Sequence, residues 1–531
     1  MINKRAKHKR TKAKRIGKIM VTTHKKTNQQ THKEVIPLDD SPDWTFELLA
    51  QYQTEIARVA EHYQLDTYIN QIEVITAEQM MDAYAGVGMP IGYNHWTFGK
   101  KFIQTEQNYK RGQMGLAYEI VINSSPCISY LMEENTMPMQ ALVMAHACYG
   151  HNSFFKGNYL FQSWTDASSI IDYLLFAKNY IAKCENTHGI DEVEATLDAC
   201  HALMNHGVDR YKRPQKISLD EELKRQTERE EYLQSQVNTL WRTVPDKNRK
   251  EKKYKFPSEP QENILYFIEK NAPLLKPWQR EIVRIVRKIS QYFYPQKQTQ
   301  VMNEGWACFW HYTILNHLYD EGLVTDKLML EFLHSHTNVV AQQDYNSPYY
   351  SGINPYALGF NMFIDIRRIC EHPTEEDKAY FPEIAGSNWL DTLHFAMKNF
   401  KDESFISQYL SPKLIRDFKL FHIHDDEKNN YVEIGAIHNE QGYKKIREKL
   451  AEQYNLSNLE VNIQIVNANI EGDRSLTLRY IPHNNIQLGD SKTEVLKHLH
   501  YLWQFNVEIV QENNEGIDEI IERCGDKDTT T

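Results

Sequence analysis

The sequence predicts a mainly α-helical body followed by a smaller C-terminal α+β domain. Between about residues 40 and 415, apolar residues recur every three or four positions, as amphipathic helices require. Near residue 416 the pattern changes to short segments that alternate between apolar and polar residues, as strands do. A chain of 531 residues is also too long for one ordinary domain. We therefore predict a basic disordered tail at 1–36, a helical core at 37–415 and an α+β domain at 416–531.

The bulk composition predicts a soluble cytoplasmic protein. Mean hydropathy is −0.62, and no apolar run approaches the length of a membrane-spanning helix. The N-terminus is basic but lacks the apolar stretch of a signal peptide. The seven cysteines are scattered and contain no C-x-x-C pair, so we expect reduced, buried thiols.

Charge is distributed unevenly along the chain. Residues 1–33 hold 12 Lys or Arg and no Asp or Glu, whereas the whole chain carries a net charge of −10. The acidic remainder does not attract phosphate backbones, so we expect no specific nucleic-acid binding by the body. The tail is predicted to be a solvated extension, with loose binding to RNA or another anionic surface as the alternative.

The elements of the body follow from start and stop signals. A helix begins after Ser41-Pro42-Asp43, and the alternating stretch 117–123 predicts a strand. Thr136 or Asn135 as the cap, with Pro138 in the first turn, predicts the start of a helix that runs until Gly150. Further helices are predicted at 166–184, 191–206, 218–241, 276–293, 300–319 and 325–334.

The C-terminal pattern predicts an antiparallel sheet with helices on one face. Two segments, 442–453 and 492–503, have helical periodicity. The predicted strands are 420–424, 431–438, 461–466, 476–481 and 507–510.

His146 and His151 lie at the end of an otherwise apolar helix. Two imidazoles in a core need polar partners, and one metal ion would satisfy both. On a continuous α-helix, however, a spacing of five turns the two rings about 140° apart. We therefore predict that Gly150 ends the helix and lets His151 turn back toward His146.

Glu304 lies among large apolar residues in the sequence MNEGWACFWH. A buried carboxylate needs a metal ion or a cationic partner, so Glu304 is the predicted third metal ligand. The alternative is an ion pair with an arginine of the preceding helix, which offers Arg280, Arg284 and Arg287. His311 lies about 10 Å further along the helix axis and is predicted to stay outside the inner coordination shell.

Five further residues are candidates for moving protons in a catalytic site. Two are acidic and precede the His146 helix; the other three are histidines in or after the following helices. The candidates are Glu133, Glu134, His311, His334 and His336. Two nitrogen ligands and one oxygen ligand suit Zn²⁺ better than Mg²⁺ or Ca²⁺, so the predicted cofactor is a divalent metal, zinc first, with iron or manganese as the alternatives.

Six segments together resemble the SpoVR family, named for stage V sporulation protein R. They read AYEIVINSSPCISYLMEENT, AHACYGHNSFF, CHALMNHGVDRYKRP, MNEGWACFWH, HSHTNVV and GINPYALG. The resemblance covers about residues 40–520 and excludes the basic tail. It implies a cytoplasmic bacterial protein, linked in spore formers to making the spore cortex. Some members are encoded beside a serine protein kinase, which makes such a kinase an expected partner.

A weaker resemblance concerns mechanism. Glu304-Gly-Trp-Ala looks like the helix that supplies the third ligand in some zinc peptidases, whose other ligands are two histidines. This implies a zincin-like body with a small sheet, in which 118–123 would be the edge strand that binds substrate. Ala147 stands where those enzymes carry their glutamate base. Two functions are therefore predicted: a metal-dependent hydrolase or amidase, or a non-catalytic regulatory or scaffold protein with a degenerate metalloenzyme fold.

Overall fold

The computed structural model describes most of the chain. The described residues are 36–86, 91–110, 119–211, 224, 228, 232, 256–344, 346–425, 432–436, 438–482, 488–513 and 517–525. Except for Ile36, the predicted tail lies outside them, as does most of the predicted helix 218–241. Residues Pro37–Thr531 form one compact unit.

The body is helical, as predicted. Its α- and π-helices before residue 212 are α1 (Phe46–His62), α2 (Ala77–Ala85), α3 (Trp96–Lys110), α4 (Met137–Met144), a π-helix (Ala145–His151), α5 (Asn152–Gly157), α6 (Tyr159–Trp164), α7 (Ile170–His188) and α8 (Ile190–Ala202). After it come α9 (Ile264–Asn271), α10 (Pro277–Gln298), α11 (Gln300–Asp320), α12 (Asp326–Val339), α13 (Pro355–Glu371), α14 (Glu375–Tyr380), α15 (Trp389–Asn399), α16 (Asp402–Tyr409) and α17 (Pro412–Asp417).

A small sheet lies beside these helices. It contains β1 (Asn70–Ile75), β2 (Glu119–Ile122) and β3 (Cys127–Met132) in the order β1-β3-β2. The central strand β3 pairs parallel with β1 and antiparallel with β2, and Glu119 stands opposite Leu131. The predicted strand 117–123 is therefore confirmed over residues 119–122, as an edge strand. The structure adds β1 and β3, which were not predicted.

Helix α11 runs through the centre of the body. Its apolar residues surround the whole helix, and Trp306, Phe309 and Trp310 are fully buried. A helix that is apolar on all sides belongs in a core and not at a surface. Helix α11 packs closely against α13 and the π-helix, and this packing positions the site described below.

The C-terminal part contains strands and helices, as predicted. Its elements are β4 (His422–Asp425), β5 (Val432–Ala436), α18 (Glu440–Gln453), α19 (Leu456–Leu459), β6 (Ile463–Ala468), β7 (Leu476–Tyr480), α20 (Lys492–Trp503), β8 (Val507–Glu512) and β9 (Asp518–Cys524). Strands β4 and β5 form a separate pair, and β6-β7-β8-β9 form a second sheet. Because β7 pairs parallel with β8, this sheet is mixed, and the prediction of an antiparallel sheet was wrong in this respect.

The sheet β6-β7-β8-β9 shares an apolar core with helices of the body. Leu478 and Leu502 belong to the same buried cluster as Leu197 of α8 and Ile282 of α10. The predicted domain boundary at residue 416 stays a prediction. Among the described residues, no helix is long and apolar enough to cross a membrane.

Candidate metal centre

A π-helical turn carries both histidines of the predicted pair. Thr136 caps α4, and the chain passes without a break through the π-helix Ala145–His151 into α5. A π-helix has i→i+5 hydrogen bonds, so residues five apart lie nearly above one another. The rings of His146 and His151 are accordingly 4.6 Å apart between centroids. The histidines converge as predicted, but the predicted reason was wrong: Gly150 does not end the helix.

Two close backbone contacts hold the helices around this turn. A Cβ atom on Gly150 would lie 2.5 Å from Cα of Ala307, so the π-helix rests directly on α11. A Cβ atom on Gly359 would lie 2.0 Å from the carbonyl oxygen of Val301, so α13 rests on the opposite side of α11. Contacts this short leave no room for a side chain at either glycine. They fix the position of Glu304 on α11 relative to both histidines.

Two carboxylates face the two imidazoles. Nε2 of His146 lies 3.2 Å from Oε1 of Glu119 and 3.8 Å from Oε2 of Glu304. Nε2 of His151 lies 3.6 Å from the same oxygen of Glu304. Glu119, His146 and His151 each offer one ligand atom, and these atoms lie within 4.8 Å of one another. The histidines are 4% and 6% exposed, and the two glutamate side chains are each 18% exposed. We call these four largely buried side chains the His2Glu2 cluster.

The Nδ1 atoms of the two histidines point away from this cluster and have their own partners. Nδ1 of His151 lies 2.9 Å from Oδ1 of Asn303. Nδ1 of His146 lies 2.9 Å from Nδ1 of His311. Histidines that bind a metal through one nitrogen usually engage the other in such a hydrogen bond.

Burial and neighbouring charges set the protonation of the cluster. Burial, with a smaller contribution from His151, lowers the pKa of His146 to about 4. Burial and the negative charge of Glu304 raise the pKa of Glu119 well above its usual value. Burial also opposes ionisation of Glu304, but the two histidines and the Tyr356 hydroxyl outweigh it and hold the pKa of Glu304 below its usual value. At neutral pH, His146 is therefore neutral and able to act as a ligand, and Glu304 is ionised.

The predicted pairing of Glu304 with an arginine of the preceding helix is not found. The side chains of Arg284 and Arg287 bind the carboxylate of Glu269 at 3.1 and 2.9 Å. Arg280 donates to the backbone carbonyl of Glu269. Two of these cations thus satisfy another carboxylate and the third binds backbone carbonyls, and Glu304 faces the histidines instead.

A second triad, of His146, Cys308 and His311, also has its ligand atoms within 4.8 Å of one another. Its chemistry suits a metal less well. The Nδ1 atoms of the two histidines already share a hydrogen bond. Burial, with the charges of Glu304 and Glu119, raises the pKa of the Cys308 thiol well above its usual value. Because a metal binds the thiolate and not the thiol, the His2Glu2 cluster is the better site.

The remaining predicted catalytic residues divide into two groups. His311 and His336 are buried behind His146, and Nε2 of His311 lies 2.7 Å from Nδ1 of His336. Glu133 and Glu134 are exposed after β3, where the Glu134 carboxylate accepts the backbone N–H of Ala77. His334 is exposed on α12 and contacts Asn338. In the part of the chain that the structure describes, no contact joins these last three predicted residues to the cluster, and their catalytic roles stay predictions.

Three residues of the site were not assigned a role from the sequence. Glu119 was visible only as a charged residue within a predicted strand, and Asn303 as the residue before Glu304. Tyr356, in the segment GINPYALG, lies in the first turn of α13, and its hydroxyl hydrogen-bonds to Glu304. A polar residue inside an otherwise apolar pattern was the available signal in each case.

Comparisons with known proteins show which proteins the chain is similar to. A family model described as SpoVR like protein matches residues 43–459, and one described as SpoVR-like C-terminal domain matches residues 461–514. The chain is 71% identical over 502 residues to uncharacterized protein YcgB of Escherichia coli (strain K12), which covers 94% of this chain and 98% of that protein. Among solved structures, none matches the chain. The chain belongs to the SpoVR family.

Proposed function

We propose that the His2Glu2 cluster binds one divalent cation, with zinc as the best match, and that the protein is a metal-dependent hydrolase or amidase. One observation carries the proposal. Because Nδ1 of His151 donates to Oδ1 of Asn303, a neutral His151 directs the lone pair of its Nε2 at the Glu304 carboxylate, 3.6 Å away. Two acceptors that face each other in a buried site need a proton or a metal cation between them, and a metal cation would satisfy His146, His151 and Glu304 at once.

The distances support a tetrahedral ion. Bonds of about 2.1 Å to a tetrahedral zinc place neighbouring ligand atoms about 3.4 Å apart. Three nitrogen–oxygen separations in the cluster, 3.2, 3.6 and 3.8 Å, lie on both sides of that value. Two imidazole nitrogens with carboxylate oxygens are ligands typical of catalytic zinc sites, whereas Mg²⁺ and Ca²⁺ favour oxygen alone.

The site also contains a second carboxylate, that of Glu119, besides the proposed ligand Glu304. A bound divalent cation polarises a carbonyl group and lowers the pKa of water. Ala147 leaves the helix without the glutamate base of the zinc peptidases that the sequence resembles. Glu119 brings a carboxylate to His146 from strand β2 instead. We therefore place His146, His151 and Glu304 as ligands and Glu119 beside the fourth position.

Metal analysis of the purified chain tests the binding site. We expect one equivalent of zinc in the wild type after loading and dialysis, and loss of that equivalent in His151→Ala and Glu304→Gln. His334→Ala is the matched control, because His334 is exposed and contacts Asn338 and not the cluster. A wild type that retains no metal, or a His334→Ala variant that loses as much as His151→Ala, would contradict the proposal.

The hydrolase proposal needs its own test. Zinc-loaded and metal-free wild type would be compared on peptide and peptidoglycan amides, with Glu304→Gln as the inactive control. Release of amine by the loaded wild type alone supports a hydrolase. A chain that binds zinc but hydrolyses none of these amides would instead favour the regulatory or scaffold alternative. A cytoplasmic location, a link to the spore cortex and a serine protein kinase partner remain predictions from the family resemblance.

A further inference from the structure

A row of three buried imidazoles leads away from the cluster. His146 on the π-helix contacts His311 on α11 at 2.9 Å, and His311 contacts His336 on α12 at 2.7 Å. The three side chains are only 4%, 1% and 4% exposed. Aromatic rings enclose the far end, since His336 packs against Phe332 and Phe360. The row is therefore a continuous hydrogen-bonded chain in an apolar surrounding.

The hydrogen bonds in this row constrain one another. A neutral imidazole carries one N–H and one acceptor nitrogen. If Nε2 of His146 is free to bind a cation, its Nδ1–H must donate to Nδ1 of His311. His311 must then carry its proton on Nε2 and donate it to Nδ1 of His336. A single arrangement of protons thus satisfies both contacts and leaves the metal-facing nitrogen unprotonated.

The second proposed histidine ligand, His151, is oriented by one hydrogen bond instead of a row of imidazoles. The Oδ1 atom of Asn303 accepts from Nδ1 of His151. Asn303 and His311 both lie on α11, the helix that carries Glu304. One helix therefore supplies a ligand and also holds the Nδ1 atoms of both histidine ligands.

We infer that His311, backed by His336, and Asn303 are positioning residues that hold His146 and His151 with Nε2 directed at the cation. This inference rests on the proposed metal site and adds residues that do not bind the ion themselves. Hydrogen-bond partners of metal-binding histidines fix the tautomer and the ring orientation, and their loss typically costs about 10–100-fold in metal affinity.

Paired substitutions separate positioning from simple packing. His311→Asn keeps an acceptor near the position of Nδ1, whereas His311→Leu fills more of the same apolar space but offers none. Asn303→Asp and Asn303→Leu form a second pair with the same logic. We expect each Leu variant to bind zinc about 10–100-fold more weakly than the wild type, and the Asn and Asp variants to keep their loss below about tenfold. Affinity would be measured on the full-length chain by competition with a chromophoric chelator.

Thermal melts of the metal-free variants give the readout for a purely structural role. A packing role predicts that zinc affinity follows stability, so that the more stable member of each pair binds better. The positioning role predicts weaker binding by the Leu member even where its melting temperature equals or exceeds that of its polar partner. Cys308→Ala is the control for the competing triad, and it should leave the zinc affinity and the Co²⁺ spectrum unchanged.

The outcomes distinguish the two proposals. A wild type that binds one equivalent, together with Leu variants that bind as tightly as their polar partners, overturns the positioning role and leaves the metal site intact. Loss of zinc and of a sulfur-to-cobalt charge-transfer band in Cys308→Ala would place the ion in the competing triad and overturn the inference. A wild type that takes up no metal overturns the proposed site and this inference together.

Discussion

Substituting Gly359 with alanine tests how closely α11 must lie against α13. The new Cβ atom would lie 2.0 Å from the carbonyl oxygen of Val301 and 2.8 Å from Cα of Gly305. The two backbones must then separate by about 1 Å, and overpacking of this kind typically costs about 1–3 kcal/mol. The higher helix propensity of alanine returns about 1 kcal/mol. We expect a net loss of up to about 2 kcal/mol in the free energy of unfolding.

The same displacement should reach the metal site. Glu304 precedes Gly305 on α11, and zinc tolerates little change in ligand bonds of about 2.0–2.2 Å. Gly359→Ala should therefore weaken zinc binding by about tenfold or more. Urea denaturation and chelator competition measure the two effects.

Gly99→Ala is the matched control for this substitution. Gly99 also lies within a helix, but a Cβ atom there would meet nothing within 4 Å. We expect Gly99→Ala to stabilise the chain by up to about 1 kcal/mol and to leave zinc affinity unchanged. If Gly359→Ala behaved like this control, the argument that backbone contact positions Glu304 would be refuted.

Two further predictions concern stability. Burial lowers the pKa of His206 and of His336 to about 4. Unfolding restores pKa values near 6.5, so the unfolded chain binds more protons than the folded chain between these two limits. The free energy of unfolding should therefore fall as the pH drops from about 6.5 to about 4. Urea midpoints at pH 7 and pH 5 measure this fall, which should shrink in His206→Gln, and equal wild-type midpoints would contradict it. Glu269→Gln should cost about 3 kcal/mol, because the carboxylate of Glu269 is fully buried and binds Arg284 and Arg287. Glu281→Gln, at a partly exposed partner of Arg284, should cost less than about 1 kcal/mol, and equal losses from both substitutions would show that burial of Glu269 contributes nothing.

The helices were largely predictable because their signals are local. The predicted helix 300–319 corresponds to α11 (Gln300–Asp320), and the predicted helix 492–503 coincides with α20 (Lys492–Trp503). Strand β3 (Cys127–Met132) was not predicted, because it is buried on both faces and has no alternation. Strand β1 (Asn70–Ile75) was also missed, although its partial alternation offered a signal.

The candidate site was predicted in part. Apolar surroundings pointed to His146, His151 and Glu304, and the structure brings all three together. The π-helix was not predictable, because the change from i→i+4 to i→i+5 hydrogen bonds leaves no residue pattern of its own. Glu119 was missed as a member of the cluster, since its distance from α11 depends on how a strand and a helix far apart in sequence pack together.

The pairing His146–His311 was missed for a related reason. His146 and His311 lie on separate helices, so the sequence does not show that they are close. Their contact depends on how α11 packs against the π-helix. The sequence argument considered only the distance from Glu304 along α11, and it therefore placed His311 outside the inner shell. In the structure, Nδ1 of His311 contacts Nδ1 of His146, the nitrogen that does not face Glu304. The spacing along α11 could not show this hydrogen bond, and the place of His311 outside the inner shell stays a prediction.

Anomalous diffraction at the zinc absorption edge, from crystals of the zinc-loaded chain, tests the central claim most directly. We predict one peak within about 2.0–2.2 Å of Nε2 of His146, Nε2 of His151 and a carboxylate oxygen of Glu304. No peak at this position, or a peak bound by Cys308 and His311 instead, would contradict the assignment of the His2Glu2 cluster as the metal site.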